Sequence, residues 1–349
     1  MPKRYANNPI FTPASIAPSR ADFEVIGVFN AGAIQYGEEI LLLLRVAERP
    51  LQNDPEHYLA PVYDVEKDEI VIEKLAFNHK ANSFADVRVI KLESGARTTS
   101  ISHFRIARSK DGYHFEAEAK PVIAPSSRYE TFGIEDPRIT QIGDNYYINY
   151  SAISELGITT MLAVTKDFAS CDKLGNIFHP DNKDVTIFPK KINGLFYALH
   201  RPSISHFATP DIWIAQSPDL LHWGNHMHIA GVRQEGWDTT RVGASAVPFL
   251  TEHGWLEIYH GADENNRYCL GALLLDAERP WVVKRRSIRP ILEPETTYEI
   301  DGFFGNVVFA CGAVRTGNEI LIYYGAADTS IAAAMLTIDE IMASFQEQI

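Results

Sequence analysis

One pattern recurs five times along the chain and dictates its architecture. A Gly- or Asn-containing turn leads into a short apolar and aromatic strand ending in polar or small residues, at 39–45, 145–151, 194–201, 254–261 and 318–325. Each is preceded by another short strand, at 31–34, 137–140, 185–188, 244–247 and 311–314, through turns such as Tyr36-Gly37, Gly143-Asp144 and Asn193-Gly194 that favour hairpins. Each is followed by a third strand, at 104–109, 161–165, 211–217, 270–274 and 331–336. Repeated strand units bury their faces against one another. Five such triples predict an all-β, five-bladed β-propeller with a less marked fourth strand per blade, formed by 1–349 as a single domain. A two-sheet sandwich is the competing arrangement, but it does not demand a fivefold triple.

Residues 50–103 interrupt the first unit between its second and third strands. They are too long for a blade connection and carry strands of their own, including 60–64 and 70–75. Such an insertion is expected over the mouth of a site or against a neighbouring molecule. The one helix expected is 339–348, opened by Thr337 or Asp339 as N-cap.

With 46% hydrophobic residues, the chain has ample core material, and its formal net charge of −13 opposes binding to nucleic-acid backbones. An anionic ligand therefore needs a local basic pocket set against the overall field. Cys171, Cys269 and Cys311 show neither disulfide-framework spacing nor a CxxC metal pattern, which fits a reducing compartment. The first residues lack an apolar stretch after their charges, and the longest aliphatic run, 40–44, is too short to span a bilayer. A cytoplasmic protein without membrane association is the expectation.

Loops entering the innermost strands of a propeller point into its central channel. The polar residues at those positions are Asn30 and Arg45 in the first unit, and Glu135, Asp136 and Arg138 in the second. The third offers Lys183, Asp184, His200 and Arg201, the fourth Arg241, Ser245 and His260, and the fifth Asn306 and Asp328. Cations gathered around one or two carboxylates suit an anionic nucleophile and a proton donor working together. The sharpest local feature is Gly-Ile-Glu-Asp-Pro-Arg at 133–138. Pro137 biases Asp136 toward an extended backbone that aims its side chain off a strand entrance, with Glu135 and Arg138 placed to tune it. An Asp-Pro turn with a surface salt bridge has the same sequence signature. His222, His226 and His228 beside Trp223 complete no metal-ligand spacing and read as a hydrated turn between blades.

Phe29-Asn30-Ala31-Gly32-Ala33, Leu44-Arg45, 99–105, 133–138, 183–189, Leu199-His200-Arg201-Pro202, Ile258-Tyr259-His260-Gly261 and 324–328 together resemble glycoside hydrolase family 130, the β-mannoside phosphorylases and related β-mannosidases. The resemblance implies a five-bladed propeller, in agreement with the repeat. It implies Asp136 as proton donor, Lys183, Arg201 and His260 as phosphate ligands, and Asn30, Arg45 and Asp328 as the lining of a mannosyl pocket. Arg138 and His200, from their channel positions, join the substrate-binding candidates. The phosphate set is generally not kept in the related hydrolases, so donors at all three positions favour phosphorolysis. The overall look, including 99–105, is most similar to the β-1,2-mannobiose and β-1,2-oligomannan phosphorylases.

Phosphate is already an anion and needs no general base. One carboxylic acid suffices, where an inverting hydrolase requires two carboxyls about 6.5–9.5 Å apart. The implied reaction converts a β-mannoside and inorganic phosphate into α-mannose 1-phosphate and a shortened sugar, with no metal or organic cofactor. The resemblance further implies that the Asp136 proton travels through the sugar 3-hydroxyl. The expected partners are a mannose-containing oligosaccharide, phosphate and a second copy of the chain in a homodimer. A β-1,4-mannoside phosphorylase, an inverting β-mannosidase and a non-catalytic carbohydrate-binding propeller are the alternatives.

Overall fold

A computed structural model of the chain describes residues 2–77, 83–93, 95–203 and 207–345. Five antiparallel sheets follow one another as the blades of a propeller. From the channel outward, blade 1 takes Phe23–Tyr36, Glu39–Pro50, Ile101–Ser109 and Glu116–Ala117, and blade 2 takes Ile134–Ile142, Asn145–Ser154, Gly157–Thr165 and Asp172–Phe178. Blade 3 is Asn182–Ile187, Phe196–Pro202, Ile212–Ser217 and Gly224–Ala230; blade 4 is Arg241–Ala244, Gly254–Ala262, Tyr268–Leu275 and Val283–Arg286, with Phe249–Thr251 paired alongside. Blade 5 contributes Val308–Thr316, Glu319–Ala326 and Ser330–Thr337, and takes its fourth strand, Lys3–Arg4, from the other end of the chain. Lys3 pairs with Met335 and Arg4 with Ala334. The Arg4 guanidinium then fastens this closure to Glu295 at 2.7 Å and Glu299 at 2.8 Å.

Side chains alternate across a strand, so a blade buried on both faces needs apolar residues at consecutive positions. The Leu41–Leu44 run meets that need. Leu41 and Leu43 pack with Ile134, Ile139 and Ile148 of blade 2, while Leu42 and Leu44 pack with Val314, Tyr323 and Ile331 of blade 5. Blade 5 repeats the device: Ile320, Ile322 and Tyr324 face blade 4, and Leu321 and Tyr323 face blade 1. Two further apolar clusters fill the gaps between blades 2 and 3 and between blades 3 and 4. The core is thus distributed between the blades, leaving the channel to polar side chains.

The inner strands carry a repeated irregularity. Pairing skips between Phe29 and Gly32 in blade 1, Glu135 and Arg138 in blade 2, and Lys183 and Thr186 in blade 3. The first residue inside each skip is Asn30, Asp136 or Asp184, with φ of 51°, 54° and 54°. Asn and Asp enter the left-handed region more readily than other non-glycine residues, and a bulge re-aims a side chain out of strict alternation. The same device in three successive blades directs three polar groups toward the channel. Asp136 is therefore left-handed and not extended as Pro137 predicts, because the bulge sets the backbone there.

The insertion forms a hairpin, His57–Asp64 with Glu69–Ala76, and a small sheet of Ser83–Asp86, Val89–Leu92 and Gly95–Thr98. The C-terminal helix is Ile338–Ala343, capped by Thr337, whose hydroxyl accepts the Glu340 N–H at 3.1 Å. It is shorter than the expected 339–348, and residues 346–349 lie outside the described residues. A further short helix, Thr297–Ile300, is not signalled by the repeat. Among the described residues no helix is long and apolar enough to cross a membrane. All three thiols are free, those of Cys269 and Cys311 buried.

Candidate active site

The bulges open onto an inner cavity of about 120 Å³. Nine of the channel residues read from the sequence line it: Asn30, Arg45, Glu135, Asp136, Lys183, Asp184, Arg201, His260 and Asp328. It continues into an outer vestibule of about 360 Å³ that shares Arg45, Lys183, Arg201 and Asp328 and adds walls from Phe29, Ile153, Ile158 and Phe303.

Asp136 is buried, and its Oδ1 accepts two hydrogen bonds, from Asn30 Nδ2 at 2.9 Å and Arg45 Nη1 at 2.8 Å. The second Arg45 branch donates to Glu135 Oε1 at 2.8 Å, and the guanidinium carbon lies 4.4 Å over the Phe29 ring. Burial alone would raise the Asp136 pKa. The positive charges of Arg45, Lys183 and Arg138 and the Asn30 hydrogen bond outweigh it and hold the carboxyl below its ordinary value.

Lys183 and Arg201 stand opposite one another on paired strands of blade 3 and both face the cavity. Like charges in such a cross-strand pair repel. Two carboxylates offset the repulsion: Glu135 lies 3.7 Å from Lys183 Nζ, and Asp184 lies 2.9 Å from Arg201 Nε. The Arg201–Asp184 contact is an ion pair without hydrogen-bond alignment, since neither atom finds an aligned partner. Asp184 also faces His260 Nε2 at 3.3 Å and Arg138 at 3.6 Å. Burial disfavours its charge, yet Arg201, His260 and Arg138 together hold it far below the usual carboxylate range. Asp184 is thus a fixed anion under the cationic wall. His260 is buried with Nδ1 3.2 Å from Ser245 Oγ, and burial keeps its pKa low despite Asp184, so it is a neutral donor. Gly243 permits this packing: a Cβ there would lie 2.5 Å from both Asp184 Oδ2 and His260 Cε1.

Asp328 behaves oppositely to Asp136. Burial raises its pKa to about 6; Arg45 and Arg88 restrain the rise, and Asp136 and Glu135 add to it. The site therefore holds carboxyls with separated proton affinities, an arrangement suited to acid–base chemistry.

Arg138 and His200, two of the substrate-binding candidates, lie off the cavity wall. Arg138 is buried beneath it and crosses the channel to donate to the carbonyls of Ala244 at 3.2 Å and Ser245 at 3.1 Å. His200 faces the other way, between Asn182 Nδ2 and His226 Nδ1, each at 3.0 Å. Strand alternation demands this once its neighbour Arg201 points inward. His222 and His228 are engaged elsewhere, with Asp219 at 2.8 Å and Asp211 at 2.9 Å. The structure adds Tyr268, Phe304, Phe309 and Arg88 to the lining. The aromatic residues look like core residues in the sequence. Arg88 comes from the insertion, which has no fixed relation to the repeat.

Residues 45–347 match the family profile of glycoside hydrolase family 130, described as β-1,4-mannooligosaccharide phosphorylase. The chain belongs to glycoside hydrolase family 130. Among its relatives is a β-1,2-mannobiose phosphorylase of Listeria innocua, 52% identical, with 97% of each chain covered. A 1,2-β-oligomannan phosphorylase of Thermoanaerobacter is 41% identical over 69% of this chain and 80% of that protein. The solved structure of β-1,2-mannobiose phosphorylase from Listeria innocua in complex with β-1,2-mannobiose superposes with a TM-score of 0.96 at 50% identity, covering 99% of each chain.

Proposed function

We propose that this chain is an inverting β-mannoside phosphorylase acting on β-1,2-mannobiose and short β-1,2-mannooligosaccharides. The observation that carries this reading is the Lys183–Arg201 pair, two cations facing one another at a cavity that also holds Asp136. An anionic nucleophile gains charge-assisted hydrogen bonds from both cations, whereas water gains nothing from their charge. The identities to a β-1,2-mannobiose and a 1,2-β-oligomannan phosphorylase support the linkage. The family description names β-1,4-mannooligosaccharides, which makes that linkage the alternative.

Phosphate sits against Lys183, Arg201 and the neutral donor His260. The mannosyl unit to be transferred contacts Asn30, Arg45 and Asp328. A phosphate oxygen attacks the anomeric carbon from the face opposite the glycosidic oxygen; the C1–O bond to the leaving sugar breaks and α-mannose 1-phosphate forms. The departing oxygen takes a proton that originates on Asp136 and passes through the sugar 3-hydroxyl. In the free site Asp136 favours the ionised form. Phosphate bound beside Lys183 offsets the positive charge that lowers the Asp136 pKa, so arrival of the nucleophile favours the protonated acid. The reading requires no metal or organic cofactor, so activity should survive a chelator. It includes a cytoplasmic homodimer, and light scattering that gave a monomer mass would remove the dimer.

The test is incubation with β-1,2- and β-1,4-mannobiose, with and without phosphate, followed by anomeric NMR of the products. Phosphate-dependent α-mannose 1-phosphate from the β-1,2 disaccharide is expected. Glu135 and Asp328 also line the cavity, so a second carboxylate for an inverting hydrolase is available; free mannose in the absence of phosphate would favour that reading.

A further inference from the structure

The small sheet of the insertion reaches the catalytic cavity. Between Ser83–Asp86 and Val89–Leu92 the chain turns at Arg88, which lines the inner cavity beside Asp328 and the outer vestibule beside Val89, Thr98 and Ser100. Arg88 thus stands where the two spaces join. Its guanidinium carbon lies 4.1 Å over the ring of Phe304, a residue on the segment leading into the inner strand of blade 5. A guanidinium stacked on an aromatic ring offers its face to the ring and directs its N–H groups within its own plane. Arg88 is close enough to Asp328 to restrain the rise in that carboxyl's pKa.

The cations assigned to phosphate come from blade 3 and border both spaces, with Asp184 2.9 Å from Arg201 and 3.6 Å from Arg138. In an inverting displacement the nucleophile and leaving group occupy opposite faces of the reacting carbon. With the transferred unit in the inner cavity of about 120 Å³, the leaving sugar takes the vestibule of about 360 Å³, past the insertion. We propose that Arg88 is a specificity-determining residue that donates hydrogen bonds to hydroxyls of the leaving sugar, with Phe304 holding its guanidinium in plane for that contact. The inference rests on the phosphorylase reading and adds to it a residue supplied by the insertion. Its chemistry selects a hydroxyl-rich acceptor at the position next to the bond that breaks. It also makes the insertion part of acceptor recognition in addition to any role as a cover.

The experiment uses the full chain in the synthetic direction, with α-mannose 1-phosphate as donor and mannose or β-1,2-mannobiose as acceptor. Wild type, Arg88→Ala, Arg88→Lys and Phe304→Leu are compared. Arg88→Ala should raise the acceptor KM roughly 10- to 100-fold, the size of one charge-assisted hydrogen bond. The KM for α-mannose 1-phosphate, and for phosphate in the forward direction, should stay within about twofold. Arg88→Lys keeps the charge without the fork and should recover part of the loss. Phe304→Leu should shift the acceptor KM in the same direction by less. An unchanged acceptor KM in Arg88→Ala would overturn the proposal. So would an equal rise in acceptor and phosphate KM, which would make Arg88 a general prop of the site. If wild type cleaves mannobiose without phosphate, the phosphorylase reading fails by itself, and the Arg88 claim is still decided by the KM for the mannoside.

Discussion

Asn30 and Asp136 meet across the first two blades, with Asn30 Nδ2 donating to Asp136 Oδ1 at 2.9 Å and both residues left-handed in equivalent bulges. Gly325 of blade 5 makes room for this contact, since a Cβ there would fall on Asn30 Oδ1. Gly325→Ala should displace Asn30 and with it the carboxyl. The expected result is a lower kcat with phosphate KM little changed, and a lower Tm, as overpacking costs about 1–3 kcal/mol. A wild-type kcat in this variant would show that Asn30 does not position the acid.

Asp136→Asn keeps the shape and removes the proton. General acid catalysis contributes about 10²–10⁴-fold, and a loss of at least that order in phosphorolysis is expected, with mannobiose binding retained by calorimetry. Near-normal turnover would place the acid elsewhere, with Asp328, whose pKa is about 6, the first carboxyl to test.

Much of the propeller is legible because both faces of its strands are buried. Leu41 to Leu44 cannot be placed on a sheet with a wet face, and the pattern recurs in each blade. The channel residues are legible for a related reason, since polar side chains at inner-strand entrances have no apolar gap to fill. His200 is misplaced by that logic alone, although alternation from Arg201 already turns it away. Arg138 lies below the cavity because its length lets it span the channel to the Ala244 and Ser245 carbonyls, a reach that spacing does not reveal. The left-handed backbone at Asp136 is hidden because Pro137 argues the opposite locally and the bulge is a property of strand pairing. The ring closure by Lys3–Arg4 is too short to carry any periodicity.

Asp328 links the site to pH. Its folded pKa of about 6 lies above the ordinary 3.8, so the folded protein retains a proton that the unfolded chain has released across that window. The stability it supplies is therefore present at low pH and is lost as pH rises through about 6. Asp328→Asn should melt above wild type at pH 8, with the advantage shrinking as pH falls through about 6 and gone below about 4. In wild type the mannoside KM should change across pH 6, and in Asp328→Asn that transition should vanish. An identical pH profile in both proteins would remove Asp328 from the sugar pocket.

The most direct measurement is the initial rate of β-1,2-mannobiose cleavage against phosphate concentration for wild type and Arg201→Ala. On the proposed reading Arg201 donates charge-assisted hydrogen bonds to phosphate worth roughly 1.5–3 kcal/mol, so its loss should raise phosphate KM by about one to two powers of ten. The mannobiose KM should change less, and wild type without phosphate should release no mannose. Wild type that frees mannose at the same rate without phosphate, or an Arg201→Ala variant with unaltered phosphate dependence, would contradict the assignment of this cationic pair to phosphate.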